Sequence, residues 1–119
     1  MIHFKRADRV GGQIQKELSD LLQKEIRDPR LDSVTIMRVS ITDDLRSARI
    51  YFSVAEGEGR ELNALAGFKS ASGYLRRKLS RRLDLRHIPE LEFLYDESFD
   101  RATRVDKILK AIRNGNQRG

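Results

Sequence analysis

Residues 61–83, ELNALAGFKSASGYLRRKLSRRL, decide how this chain is read. Leu62, Leu65 and Ala66 open one helical apolar set, and Leu75, Leu79 and Leu83 form a second at strict four-residue spacing. On one straight helix at about 100° per residue the two sets fall about a quarter turn out of phase, so the segment is expected to bend. Gly67 and Gly73 are the residues at which it would break most cheaply. Two consecutive helices are therefore expected, with the small-residue step Ala71-Ser72-Gly73 at the bend.

Upstream lies a loop, Glu56-Gly57-Glu58-Gly59, and before it Arg46 to Val54 alternates cleanly, with Ala48, Ile50, Phe52 and Val54 on one face. The other face carries Arg49, Tyr51 and Ser53 and is expected to be wetter. Asp43-Asp44 makes a turn, and Val34 to Thr42 is the partner strand of an antiparallel hairpin. Val34 and Ile36 lie on the opposite parity to Val39 and Ile41, which predicts a bulge, or burial on both faces, near Met37. The chain opens with a helix from about Asp8 to Ile26, read from Val10, Ile14, Leu18, Leu21, Leu22 and Ile26. Asp8 is its expected cap, Asp28-Pro29 its stop, and Gly11-Gly12 weakens its first turn, which argues for a later start. Downstream, Ile88 to Tyr95 reads as a third strand with Pro89 near its beginning. A final helix capped by Ser98 carries Ala102, Val105, Ile108, Leu109 and Ile112 and stops at Asn114-Gly115.

The charge is as localised as the pattern. From Lys69 to His87 there are seven basic side chains and one acid, Asp84, a surplus equal to the net +6 of the entire chain. A neutral body with one cationic block on a helix is arranged to meet a polyanion. With 119 residues and 39% hydrophobic composition the chain makes one ordinary core, and residues 1–113 are expected as a single domain with 114–119 as a short flexible tail. No cysteine is present, which excludes disulfides and Cys-based zinc sites and suits a reducing cytoplasm. No apolar run approaches the roughly 20 residues of a membrane span.

The order helix, strand, strand, helix, bend, helix, strand, helix is α+β: a three-stranded sheet with helices on one face. It resembles the KH domain of the second type. Ordinary KH domains clamp a nucleic-acid backbone with a Gly-x-x-Gly loop between the two central helices, but no two of the eight glycines here stand three apart. A more specific resemblance lies in an ordered series of motifs: Arg27-Asp28-Pro29-Arg30 before Val34-Thr35-Ile36, then Asp43-Asp44-Leu45, Ala48-Arg49-Ile50-Tyr51 and Leu85-Arg86-His87-Ile88-Pro89-Glu90-Leu91-Glu92-Phe93. These are similar to the ribosome-binding factor A family over about Phe4 to Leu109. In that family an Ala-x-Gly kink replaces the Gly-x-x-Gly loop, a place filled here by Ala71-Ser72-Gly73. The resemblance implies a non-enzymatic assembly factor that binds the free small ribosomal subunit. It further implies help in late maturation and 5′-end processing of the 16S rRNA precursor, importance for growth in the cold, and an assembly GTPase among the candidate partners. No cofactor or metal is implied, and a monomer is expected.

The residues expected to carry RNA binding are Lys69, Arg76, Arg77, Lys78, Arg81, Arg82 and Arg86. With Leu79 at the centre of the buried face, Arg77 and Arg81 point nearly opposite, Lys78 sideways, and Arg76 and Arg82 flank the stripe. Lys5, Arg6 and Arg9 extend the footprint if the fold brings them near. A charged helix face is often merely solvated, but with Asp84 as the only acid in the block, pairing within the helix does not explain it. Tyr74 either packs inside or stacks on a base. His3 and His87, the only histidines, stand in no pattern that supplies a nucleophile or metal ligands, and Asp43-Asp44 and Asp96-Glu97 read as turn and cap chemistry. Two other classes stay open: a ribosome-associated stress or hibernation factor that prefers assembled ribosomes, and an RNA-processing enzyme, which would need a metal or acid–base site.

Overall fold

Ala48, Ile50, Phe52 and Val54 all lie buried on one face of strand β2 (Ser47–Val54), as their alternation requires. The computed structural model describes residues 6–55 and 59–116; Lys5, His3, residues 56–58 and residues 117–119 lie outside the described residues. β2 is the central strand of a three-stranded mixed sheet, antiparallel to β1 (Val34–Ile41) and parallel to β3 (Glu90–Tyr95). Parallel neighbours need a long crossover, and α2 (Arg60–Arg82) supplies it. α1 (Arg6–Lys24) and α2 cover the apolar face, where Ile14, Leu18 and Leu21 meet Ile50, Phe52, Phe68, Leu75 and Leu79. The expected α+β architecture is the one observed.

The bulge is where parity placed it. The β1–β2 register shifts between Ile36 and Arg38, and Gln15 of α1 donates from Nε2 to the Met37 carbonyl at 3.2 Å. The opposite sheet face is polar around the Arg38 guanidinium, 4.0 Å from the Tyr51 ring centroid, and Arg49, paired to Glu92 at 3.6 Å. Ser53, expected on that wetter face, is instead buried, with its hydroxyl donating to Met37 Sδ at 3.4 Å.

Several boundaries differ from expectation. α1 begins at Arg6, before Asp8, so Asp8 is a first-turn residue and not a cap. Gly11 does not delay the helix but seats it: a Cβ there would stand 3.1 Å from the Val39 carbonyl oxygen, and its absence lets α1 close on β1. α1 ends at Lys24, and Asp28 caps a short 3-10 turn (Pro29–Leu31) by accepting from Arg30 N at 3.0 Å. The last helix, α3 (Glu97–Asn116), continues past Gly115. Its cap is Asp96, whose carboxylate accepts from Ser98 N at 3.0 Å and from the Ser98 hydroxyl. Val105, Ile108, Leu109 and Ile112 are each more than half exposed, so the apolar stripe of α3 is not part of the core.

The expected break in the central helix is the main correction. α2 runs unbroken from Arg60 to Arg82, with Ala71-Ser72-Gly73 in its interior, so the two expected helices are one. The apparent phase conflict arises from Leu62 and Ala66, which face solvent. Leu62 is 71% exposed, whereas the buried positions are Ala64, Gly67, Phe68, Leu75 and Leu79, and half-buried Ala71 completes a single stripe at steps of three and four. Gly67 is small because α2 presses on the 3-10 turn: a Cβ would lie 3.0 Å from Leu31 Cγ and 3.2 Å from Arg30 Cβ. At Gly73 a Cβ meets only Nη1 of Arg77, the far end of a flexible side chain, at 3.4 Å. Gly73→Ala is therefore expected to stabilise by up to about 1 kcal/mol through helix propensity. Gly67→Ala is expected to lose about 1 kcal/mol net, because overpacking exceeds that gain. Urea denaturation of both variants checks this; destabilisation by Gly73→Ala would show that the backbone is not helical there.

Candidate nucleic-acid interface

The tertiary structure divides the cationic block into two sides. On one side α2 faces the acids of α1 and of the residue that follows it, Glu25. Arg82 donates to Asp20 at 2.6 Å, to Glu17 at 3.0 Å and to Glu25 at 3.4 Å, and its side chain is only 26% exposed. Lys78 pairs with Glu25 at 3.6 Å, and the Tyr74 hydroxyl donates to the same carboxylate at 3.0 Å. Tyr74 thus belongs to the contact between α1 and α2, with Lys78 beside its ring. Glu17 and Asp20 of α1 and Glu25 just after it, 57 to 65 positions from Arg82, do the pairing that Asp84 alone could not.

These contacts have an acid signature. The hydrogen bond from Arg82 holds the Asp20 carboxyl below its ordinary 3.8. The hydrogen bond from Tyr74, helped by the charges of Lys78 and Arg82, holds Glu25 below 4.5. Arg82 itself is shifted upward by Asp20 and Glu17. Carboxylates depressed in the folded state stabilise it above their ordinary values and lose that contribution as pH falls through the depressed ones. Melting temperature is therefore expected to fall between about pH 5 and about pH 2, and to fall less steeply in Arg82→Met. Thermal melts across that range check this; parallel curves for the two proteins would count against the clamp.

The other side is open. Arg77 and Arg81 are exposed on the crest of α2, as the helix geometry predicted, and neither has an ion-pair or hydrogen-bond partner among the described residues. The same holds for exposed Lys69 and Arg86. Arg76, 42% exposed, is shared with Glu90 at 3.5 Å. Gly73, Arg76, Arg77, Ser80, Arg81 and Ile88 line a shallow depression of about 450 Å³. Gly73 is exposed at its margin, so the small-residue step offers open backbone surface without a break in the helix.

A second depression of about 380 Å³ adjoins the first and shares Arg76 and Ile88 with it. Arg6 reaches it from α1, and Arg46 from the β1–β2 turn. Of the N-terminal cations, Arg6 thus joins this face, while Arg9 lines neither depression and Lys5 is outside the described residues. Arg46 was missed because it is a lone cation in a turn with no local pattern to mark it. His87 is exposed at this second depression. Among the described residues no group of three or more His, Cys, Asp or Glu side chains is placed to hold a metal ion, and no helix is long and apolar enough to cross a membrane.

An array of unpaired, convex guanidinium groups with shallow depressions beside them suits sequence-independent contact with phosphates. Known proteins share this framework. The chain is 47% identical over 107 residues to ribosome-binding factor A of Desulfatibacillum aliphaticivorans, covering 90% of this chain and 87% of the relative. The crystal structure of ribosome-binding factor A from Thermus thermophilus superposes with a TM-score of 0.67 at 28% identity, covering 75% of this chain and 93% of that one. A homology model of the Thermus thermophilus factor, fitted into the cryo-EM map of a 30S complex, superposes with a TM-score of 0.64 at 27% identity, over 76% of this chain and 96% of that one. The family model described as ribosome-binding factor A matches residues 6–109, from the first residue of α1 into α3 and across both faces of the cationic block. With sequence, fold and basic helix in agreement over that span, this chain belongs to the ribosome-binding factor A family.

Proposed function

We propose that this protein is an assembly factor that binds the free small (30S) ribosomal subunit through its rRNA. Bound there, it favours a local rRNA conformation during late maturation and 5′-end processing of the 16S precursor, a role that matters most for growth in the cold. It works in the cytoplasm as a monomer and by binding alone, without catalysis, with an assembly GTPase as the candidate agent of release. The observation that carries this reading is the crest of α2, where Arg77 and Arg81 stand exposed and unpaired among the described residues while α1 neutralises the opposite side. Family membership supports it, as does the likeness to a factor fitted into a 30S complex. Lys69, Arg76 and Arg86 extend the crest, whereas Lys78 and Arg82 serve mainly to fix α2 against α1.

Co-sedimentation with purified free small subunits and with joined ribosomes, over a range of salt, tests the proposal. Binding to free subunits and exclusion from joined ribosomes is expected. About five phosphate contacts predict a log–log salt slope of roughly −3.5 to −4.5. Equal or stronger binding to joined ribosomes would overturn the reading in favour of a stress or hibernation factor.

A further inference from the structure

The depression between the β1–β2 turn and the α2–β3 connection contains chemistry that phosphate contact does not need. Its floor is apolar, made by Leu45, Leu85 and Ile88. Arg6 and Arg86 stand at its rim without a partner among the described residues. Asp44 and Glu90 also line it, with side chains 60% and 77% exposed; Glu90 lies 3.5 Å from Arg76, and Asp44, fixed on its Oδ1 side by the turn, leaves Oδ2 4.0 Å from the Arg46 guanidinium. At about 380 Å³ it falls within the range of small-ligand pockets, roughly 300–1,000 Å³.

The turn that builds one wall is over-determined. Leu45 has φ 61, the single non-glycine residue with positive φ among the described residues, in a conformation that glycine or asparagine adopts far more readily. Leu45 N donates to the Thr42 carbonyl at 2.9 Å, the Thr42 hydroxyl donates to Asp44 at 2.6 Å, and Arg46 N donates to the same carboxylate at 3.1 Å. Glu90 N then donates to the Arg46 carbonyl at 2.8 Å and ties the turn to β3. This network holds a large apolar side chain at the depression in a backbone state that leucine does not favour. Such strain is characteristic of binding sites.

Three chemistries therefore meet in one place: free guanidinium groups, an apolar floor and accessible carboxylates. A simple anion would use the first and be repelled by the third, and an apolar ligand would leave both unused. A nucleotide uses all three, with its phosphate on arginine, a base face on the floor, and exocyclic N–H donors toward carboxylate. Building on the RNA-binding reading above, we propose that this depression is a pocket for one unstacked nucleotide of single-stranded RNA. It prefers a base that bears an exocyclic amine, such as cytosine, over uracil.

The test is NMR of the full-length chain with labelled leucine and isoleucine methyl groups, titrated with cytidine 5′-monophosphate, uridine 5′-monophosphate and inorganic phosphate. The Leu45, Leu85 and Ile88 methyls are expected to shift saturably with the cytidine nucleotide. The response to the uridine nucleotide should be at least about five-fold weaker, and inorganic phosphate should leave these methyls in place. Leu45→Gly, which relieves the positive φ and removes the floor side chain, is expected to stay folded and lose the response. Silent methyls, an equal response to both nucleotides, or full retention of the response in Leu45→Gly would each overturn the pocket. A short single-stranded RNA added to the same samples separates the two readings. Salt-sensitive binding of that RNA with silent pocket methyls sinks the pocket alone, whereas no binding at all sinks the RNA-binding reading with it.

Discussion

Arg77→Glu combined with Arg81→Glu is expected to weaken binding to free small subunits by at least about 100-fold. Each arginine is taken to supply one charge-assisted phosphate contact, and two such contacts at about 1.5 kcal/mol amount to two decades of affinity before any repulsion by the new carboxylates. The salt slope should become shallower by roughly 1.4 to 1.8 units, the share of two phosphates. Melting temperature should change little, because both side chains are exposed and have no partner among the described residues to lose. Arg82→Met makes the complementary control. Its guanidinium is held by Glu17, Asp20 and Glu25, so its loss should appear in the acid stability profile and hardly in the salt slope. Co-sedimentation and thermal melts of the two variants, run in parallel, separate contact from clamp. Undiminished binding by the double charge reversal would place the interface on another face.

The second large effect is on stability. Phe68→Ala is expected to cost about 3–5 kcal/mol, a large share of the roughly 5–15 kcal/mol that holds an ordinary domain together. Phe68 is fully buried where α2 crosses the sheet. Its ring stacks on Phe93 of β3 with centroids 4.0 Å apart and meets Phe52 of β2 edge-on at 5.0 Å. Truncation removes the transfer free energy of the ring and leaves a cavity that two strands and a helix cannot close together. It also loosens the element that carries Arg77 and Arg81, so subunit binding should fail at temperatures where the variant begins to melt. Urea denaturation measures the loss. A value under about 1 kcal/mol would mean that α2 does not seat on the sheet through this residue.

Gly67 and Gly73 show how a pattern misleads when one residue property serves two causes. Both look like helix breakers, because glycine has low helix propensity wherever it stands. Gly67 is there to let the 3-10 turn at Leu31 approach α2, and Gly73 lies open at the edge of the basic depression within an unbroken helix. No local signal distinguishes these cases, since the atom that excludes a side chain at Gly67 belongs to a residue some thirty-six positions away. Leu62 and Ala66, both exposed, misled in a similar way, because hydrophobicity says that a residue tolerates burial and not that a neighbour exists to bury it.

Strand identity, the bulge at Met37, the amphipathic face of α1 and the presence of a cationic helix were all legible from the chain alone. They depend on side-chain periodicity and charge within a few residues, which local backbone geometry converts directly into faces. Which cations remain available was decided only when α1 packed against α2. Glu17, Asp20 and Glu25 then claimed Lys78 and Arg82, while Arg6 and Arg46 arrived at the open face from distant segments. Ion pairing acts over a few ångströms of space and is indifferent to separation along the chain, so a charge count can announce a binding surface but only the packed structure can draw its edge.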